Sequence, residues 1–207
     1  NKIKNLKYIV QNNRGFAYSR NIAIQNSNGE WIVIIDHDDI CLKNRLEIHY
    51  NQINDDKKKS KLFFANTYHF NENKIFKKHF DQFNLDNINL SKKYASSNLL
   101  TKGCFIDTES VVFKKNEAIS IGGFNSNYKY LADYEFFIRM GEKYNLSFTT
   151  QLVSMWRVHN QQATIIMQNI YNKELIKLYT SYLFSKNIFF YSKIKIFTLL
   201  IKTTLKN

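Results

Sequence analysis

The segment from Ile32 to Asp39, which reads Ile-Val-Ile-Ile-Asp-His-Asp-Asp, constrains the fold of this chain more than any other segment. Its β-branched apolar run is typical of a strand that is buried on both faces. The run ends in Asp36, Asp38 and Asp39, whose carboxylates repel one another unless a cation or several backbone amides neutralise them. Because Mg²⁺ commonly bridges carboxylates and substrate phosphates, the end of this strand is a candidate phosphate and metal site.

The composition indicates a globular domain with a basic surface. Of the 207 residues, 44% are hydrophobic and 15% are aromatic, which suffices for one domain with a substantial core. A net charge of +13 favours anionic partners such as nucleotide phosphates, nucleic acid or a membrane surface. Lysine is also a common surface residue, so the charge does not choose among these partners.

The cysteines and the apolar segments bear on the compartment. Cys41 and Cys104 form neither a CxxC pair nor a disulfide framework, and neither has the setting of a nucleophile. No segment has the order of a signal peptide, and no run of about 18 apolar residues predicts a transmembrane helix. These features favour a reducing cytoplasm, with a peripheral position at the inner face of the membrane left open.

Hydrophobic periodicity predicts an α/β order of elements. A strand from Lys7 to Val10, a helix from Phe16 to Gln25 and a strand from Trp31 to Asp36 have the order of a right-handed parallel unit. In such sheets ligands bind at the carboxyl ends of the strands, where the three carboxylates fall. Further helices are predicted near residues 43–54 and 132–144, and further strands near residues 62–68, 74–80, 111–113 and 147–157.

The chain divides by its pattern into an α/β domain over residues 1–162 and a helical C-terminal extension over residues 163–207. The tail from Ile188 to Leu205 mixes Phe, Ile and Leu with Lys193, Lys195 and Lys202. Such a basic amphipathic tail either lies on an anionic bilayer or packs on the domain with its lysines in water.

Several short motifs follow one another along the chain. They are Asn13 with Gly15, Arg20-Asn21, Gly29, Asp36-His37-Asp38-Asp39, Gly122-Gly123-Phe124, Asp133-Tyr134-Glu135 and Arg157-Val158-His159. In this order, over roughly residues 7 to 165, the chain resembles family 2 glycosyltransferases of the GT-A fold. The resemblance implies a Rossmann-like, mostly parallel sheet flanked by helices. The family normally opens with a strand, a helix and a second strand, so we expect an N-terminally truncated domain here.

The resemblance implies an enzyme of the hexosyltransferase type that inverts the anomeric carbon. It would move a sugar from a nucleotide-sugar donor, with a UDP-sugar favoured, to a hydroxyl of a glycan or lipid-linked acceptor in surface polysaccharide biosynthesis. One alternative is a non-catalytic fragment or remnant of such an enzyme. Another is a basic nucleic-acid-binding module, but scattered lysines and an acidic cluster disfavour a nucleic-acid partner.

The resemblance also implies a metal site. Asp36-His37-Asp38 matches the DxD motif of the family, whose carboxylates hold Mn²⁺ or Mg²⁺ against the donor diphosphate. Such a cation stabilises the charge that develops on the leaving diphosphate. His159 is implied as a further ligand, with a structural role as its alternative. Asp39 is interpreted as either a ligand or a structural residue, for example a cap of the next helix.

Asp133 matches the catalytic base of the family, at the start of the helix after Gly-Gly-Phe. A carboxylate on the acceptor side would take the hydroxyl proton as the new bond forms. Its alternative role is to complement the dipole of that helix. Ala132 stands where the family commonly has Glu.

The resemblance implies donor-binding roles for four residues, Arg20, Asn21, Asp36 and Arg157. Arg20 would either contact the diphosphate or brace Asp36, and Arg157 would pair with phosphate oxygens. The remaining histidines have no spacing that is typical of a metal cluster, and we interpret them as structural or surface residues. They are His37, His49, His69 and His79.

Overall fold

A mixed six-stranded sheet forms the centre of the protein. The computed structural model describes residues 5–72 and 74–205, so the outermost residues of both predicted domains lie outside the described residues. The strands are β1 (Trp31–Val33), β2 (Ile40–Cys41), β3 (Leu62–Phe70), β4 (Ile75–Lys78), β5 (Val112–Lys114) and β6 (Leu146–Arg157). Their order in the sheet is β1-β5-β3-β6-β2, and β4 pairs with the end of β3.

Helices cover the sheet and continue to the end of the described chain. They are α1 (Phe16–Asn26), α2 (Arg45–Asp55), α3 (Tyr94–Lys102), α4 (Lys115–Ser120), α5 (Ala132–Lys143), α6 (Ala163–Ile166), α7 (Gln168–Leu183) and α8 (Phe190–Thr204). Short 3₁₀ turns occur at His79–Gln82 and Thr108–Ser110. Within residues 5–72 and 74–205, no helix combines the length and the apolar character that crossing a bilayer requires.

The directions of the strands bring three chain segments to one edge of the sheet. β3 and β6 run parallel, and β1 has the same direction because β5 is antiparallel to both β1 and β3. The segments that follow β1, β3 and β6 therefore leave the sheet at the same edge. The predicted α/β class is confirmed, but the sheet is less parallel than predicted, since β2, β4 and β5 all pair antiparallel.

The predicted strand from Lys7 to Val10 is wrong. Residues 7–10 have no regular secondary structure, and none of the described strands pairs with them. Tyr8 and Val10 are 87% and 79% exposed, so their apolar side chains pack on nothing that would stabilise an extended conformation. Alternating apolar residues form a strand only where a neighbouring strand accepts their backbone hydrogen bonds.

The helices after residue 163 pack on the same core as the sheet. Leu178 of α7 and Ile196 of α8 are completely buried in the cluster that also contains the sheet residue Phe113. Within this core, the rings of Phe124 and Phe136 stack with their centroids 4.2 Å apart. A division of the chain near residue 162 stays a prediction, but the helical extension and the sheet share one hydrophobic core.

A clamp between α1 and the Gly-Gly-Phe loop fixes the loop that leads to α5. The side chain of Asn21 donates to the carbonyl oxygen of Phe124 at 2.8 Å, and its amide oxygen accepts from the Phe124 N–H at 2.7 Å. Gly123 has φ of 66°, and a Cβ added there would lie 2.4 Å from the Asn21 side-chain oxygen. Glycine is required at this position because any side chain would push Asn21 out of the clamp.

We expect Gly123→Ala to destabilise the protein, and we expect a large part of the loss to disappear when Asn21 is first replaced by Ala. The backbone strain of about 1–2 kcal/mol persists in both backgrounds, whereas the steric clash exists only when Asn21 is present. Urea unfolding of the two single variants and the double variant measures the coupling. Gly122→Ala is the matched control, since its added Cβ meets no atom within 4 Å. Equal losses in both backgrounds would contradict the clamp.

Candidate functional site

Arg20 connects the two carboxylates on which the predicted chemistry depends. Its guanidinium donates to both oxygens of Asp36, at 3.0 and 2.9 Å, and its other terminal nitrogen forms an ion pair with Asp133. Asp36 lies three residues beyond the end of β1, and Asp133 lies in the first turn of α5. The structure thus brings the predicted metal ligand and the predicted base to one arginine, which braces Asp36 as one of its two predicted roles requires.

Asp133 sits in a hydrogen-bonded and largely enclosed position. The Thr108 hydroxyl donates to its second oxygen at 2.6 Å, so both carboxylate oxygens have a partner. Burial raises the pKa of Asp133, while Arg20 and Thr108 partly offset that rise. The net effect is a pKa above the ordinary value, which makes the carboxylate a stronger base than a solvated aspartate.

Asp38 and His159 form the second part of the site. The Nε2 atom of His159 lies 2.9 Å from an Asp38 oxygen, although the residues are 121 positions apart. Partial burial raises the pKa of Asp38. Hydrogen bonds from His159 and from the backbone of Asp38, together with the charges of His37 and His159, lower this pKa by more, so the net pKa is below the ordinary value. The predicted ligands Asp38 and His159 are therefore in contact.

Asp39 lies near both Asp36 and the Arg157 backbone, and its environment disfavours its ionised form. Its ligand oxygen lies within 4.8 Å of those of Asp36 and Glu109. Burial raises the pKa of Asp39 to about 6, and the charges of Asp38 and Asp36 add to this rise. Asp39 does not cap the next helix, whose N-cap residue is Asn44, so this form of the structural role is wrong. Its carboxylate instead accepts the Arg157 backbone N–H at 2.8 Å, which is a structural contact of another kind, and ligation by Asp39 stays a prediction.

Arg157 and Asn21 each hold a backbone segment near the site. The Arg157 Nε donates to the Asp38 carbonyl oxygen at 2.8 Å, and its guanidinium lies over the Phe70 ring at 4.5 Å. Both polar atoms of the Asn21 side chain bond the Phe124 backbone. Bracing contacts are thus what the structure shows for these two residues, and their donor-binding roles stay predictions.

Glu109 is a site residue that the sequence interpretation missed. It is 6% exposed in the 3₁₀ turn before β5, and its pKa is raised well above the ordinary value by burial and by the charges of Asp107, Asp39 and Asp36. The available signal was the pair of acidic residues Asp107 and Glu109 between the apolar runs Phe105-Ile106 and Val111-Val112-Phe113. Together with Asp36 and Asp39 it offers the hard oxygen ligands that Mg²⁺ and Mn²⁺ prefer.

Glu174 is a second missed residue, and it fixes the start of α5. Its carboxylate accepts the backbone N–H groups of Lys129, Tyr130 and Leu131 at 2.5, 2.9 and 2.8 Å. These amides lie immediately before the first turn of the helix that carries Asp133. A single buried carboxylate from α7 therefore sets where the predicted base is held.

An open groove borders Asp36. It has a volume of about 550 Å³ and runs between α1 and β1 from Gly29 to Asp36, with Arg20 in its wall. The Asp36 side chain is 40% exposed and that of Asp133 is 26% exposed, so both carboxylates can be reached from solvent.

Comparison with known proteins gives a consistent result for sequence and fold. The family model described as glycosyl transferase family 2 matches residues 1–119. An uncharacterized glycosyltransferase of Rickettsia typhi, RT0329, is 25% identical over 161 residues, which cover 76% of this chain and 48% of that protein. A counterpart in Rickettsia prowazekii, RP339, is 23% identical over the same length. The chain spans about half the length of these curated relatives.

The solved structures of Staphylococcus aureus TarS have a similar fold. The structure of TarS residues 1–349 matches 95% of this chain and 53% of its own with a TM-score of 0.64 at 13% identity. The complex of the same protein with UDP-GlcNAc matches 96% of this chain and 55% of its own with a TM-score of 0.63 at 14% identity. At this identity the likeness shows the fold alone, and it confirms the predicted GT-A fold.

We expect Glu109→Gln to stabilise the metal-free protein at pH 8 and to have no such effect at pH 4. The folded state holds the Glu109 proton to a higher pH than the unfolded chain does, so wild-type stability falls as the pH rises above the ordinary glutamate pKa of about 4.3. Glutamine cannot ionise and escapes this loss. Thermal unfolding in chelator from pH 4 to 8 measures it, with the exposed Glu47→Gln as control. A variant that is less stable than wild type at pH 8 would contradict the assignment.

Proposed function

Since the chain belongs to glycosyl transferase family 2, we propose that the protein is an inverting, metal-dependent glycosyltransferase. It moves a sugar from a nucleotide-sugar donor to a hydroxyl of a glycan or lipid-linked acceptor in surface polysaccharide biosynthesis. The observation that carries the proposal is the bridge from Asp36 through Arg20 to Asp133. Through this bridge the Arg20 side chain contacts both Asp36, which belongs to the carboxylate cluster suited to a cation, and the proposed base Asp133.

The donor end of the proposed reaction lies at the carboxylate cluster. Asp36, Asp38 and His159 would hold Mn²⁺ or Mg²⁺, which supplies a positive charge for the departing diphosphate. The raised pKa values of Asp39 and Glu109 support this, because such carboxylates lack the positive charge that would let them ionise. Related structures of TarS with UDP and with UDP-GlcNAc support a UDP-sugar as the donor.

The acceptor end of the proposed reaction lies at Asp133. An acceptor hydroxyl placed beside this carboxylate would lose its proton to Asp133 while its oxygen bonds to the anomeric carbon and the diphosphate leaves from the opposite face. Arg20 and Thr108 hold the two oxygens of Asp133, so the base is oriented before the acceptor arrives. The rise in its pKa through burial increases its basicity in this role.

Two near-isosteric substitutions, each of which removes one negative charge, test the proposal. In an assay of sugar transfer from a panel of UDP-sugars with Mn²⁺, we expect Asp133→Asn to lower kcat by about 10²-fold or more, because no carboxylate then accepts the hydroxyl proton. We expect Asp38→Asn to raise the Mn²⁺ concentration required for half-maximal activity, because one ligand is lost.

The control for both substitutions is Asp86→Asn, which removes the same charge from an exposed residue outside the site. It should behave like wild type. The metal role would be contradicted if wild type stays active in EDTA and if Asp38→Asn is as active as wild type. If folded wild type neither transfers nor hydrolyses any donor of the panel, the alternative of a non-catalytic remnant is favoured.

The outer face of α8 supports the further proposal that the protein contacts an anionic membrane surface. Five large apolar residues, spaced at helical intervals along one face, are exposed to solvent, and Phe190 and Leu205 are 80% and 82% exposed. They are Phe190, Ile194, Phe197, Ile201 and Leu205. Lys193 lies on one side of this apolar stripe, and Lys195 and Lys202 lie on the other. An apolar face with flanking lysines is typical of helices that lie in the headgroup region.

We expect the protein to bind vesicles that contain phosphatidylglycerol more strongly than vesicles of phosphatidylcholine alone, as measured by co-sedimentation. Replacing Ile194 and Phe197 with Ser should weaken this binding, since both side chains are more than half exposed and contribute to the stripe rather than to the core. Tyr50→Ser removes an equally exposed ring from α2 and is the control. Unchanged binding by the double variant, or a dimer that the double variant abolishes, would contradict a membrane role.

A further inference from the structure

A cluster of two histidines and one aspartate lies beside the carboxylate site. His69 is at the end of β3, His79 begins the 3₁₀ turn after β4, and Asp107 immediately precedes Thr108. The two imidazoles are almost completely buried, and the Asp107 side chain is 15% exposed. The spacing of these histidines in the sequence does not predict a cluster, but the fold brings His69 and His79 together with Asp107. The interpretation of the two histidines as structural residues stays a prediction.

Three ligand atoms converge on one point. His79 Nδ1 lies 3.1 Å from an Asp107 oxygen, His69 Nε2 lies 3.3 Å from the same oxygen, and the two nitrogens lie 3.3 Å apart. Tetrahedral ligands at about 2.0–2.2 Å from zinc are separated by about 3.3–3.5 Å, so the triangle has nearly the dimensions of three zinc ligands.

Hydrogen bonding alone leaves one of these three contacts unexplained. If both imidazoles donate to Asp107, two N–H donors face each other at 3.3 Å with no acceptor between them. If His79 donates to His69, the Asp107 oxygen instead faces the filled lone pair of one nitrogen. A cation at the centre satisfies all three atoms together.

We propose that His69 Nε2, His79 Nδ1 and a carboxylate oxygen of Asp107 bind a divalent transition-metal ion of the zinc class. Two imidazoles and one carboxylate favour zinc over Mg²⁺. The proposed donor metal site, with Asp36 and Asp38, one imidazole from His159 and the neighbouring carboxylates of Asp39 and Glu109, is richer in oxygen and favours Mg²⁺ or Mn²⁺. The protein would therefore carry two sites of different selectivity. With three protein ligands, a fourth position of the ion would be left for water.

The segments that this ion would join give it a role in positioning the carboxylate site. It ties the end of β3 and the turn after β4 to the segment that contains Thr108 and Glu109. Thr108 holds the proposed base Asp133, and Glu109 belongs to the carboxylate cluster. Aromatic rings enclose the ligands, with Trp156 at 4.6 Å from His69 and Phe83 at 5.1 Å from His79, measured between ring centroids. Such an apolar shell limits the access of solvent to the ligands.

Zinc titration of the chelator-stripped protein tests the site. We expect wild type to bind one zinc ion that survives gel filtration, as measured by elemental analysis. His79→Gln and Asp107→Asn should each weaken zinc binding about tenfold or more, because each removes one of three ligands. His49→Gln is the matched control, since it replaces another buried histidine that lies outside the cluster and contacts Gln52.

Asp38→Asn separates the two sites and should leave zinc binding at this cluster unchanged. Co²⁺ bound to wild type should show the strong visible absorption of tetrahedral coordination. Circular dichroism establishes that each variant is folded, and the near-isosteric Asp107→Asn decides the test if His79→Gln does not fold. Three results would each overturn the proposal. They are the absence of bound zinc in wild type, zinc binding in His79→Gln and Asp107→Asn that equals that of wild type, and loss of zinc only in Asp38→Asn.

Discussion

The ion pairs of Arg20 hold the site in its shape. One guanidinium, stacked near the rings of Phe16 and Phe124, balances Asp36 after β1 and Asp133 on α5. These partners are 16 and 113 residues away in the chain, so the pairs form only when the sheet and α5 are both in place. Removal of either carboxylate would leave a largely buried positive charge with half of its compensation, which is strongly destabilising for paired charges.

The same arginine cannot balance all the carboxylates near it. Asp39, Glu109 and Asp133 all have pKa values above their ordinary ranges, with burial as the leading cause. The burial of these three carboxylates therefore outweighs the stabilisation of their charged forms by Arg20 and the other hydrogen-bond donors. A divalent cation between the carboxylates would supply positive charge, and this is the physical reason for linking the proposed metal to the observed geometry.

The parts of the site that the sequence predicted are those that depend on local structure. Asp38 follows a strongly patterned strand, and Asp133 follows a Gly-Gly turn at the start of a well-patterned helix, so each position could be read from a few neighbouring residues. The strand predicted from Lys7 to Val10 failed because a strand also needs a partner, which local pattern does not reveal. Glu109 and the pair of His69 and His79 gain their significance only from contacts made by the folded chain.

The helices after residue 163 belong to the site as much as the sheet does. Glu174 on α7 accepts three backbone N–H groups just ahead of Asp133, 43 to 45 residues away in the chain. α8 packs on α7, and its buried residue Ile196 joins the common core while Phe197 faces outward. The face proposed to meet a membrane and the carboxylate proposed to meet the acceptor are thus linked through packed helices. A lipid-linked acceptor would approach a base whose position relative to the bilayer is set by α7 and α8.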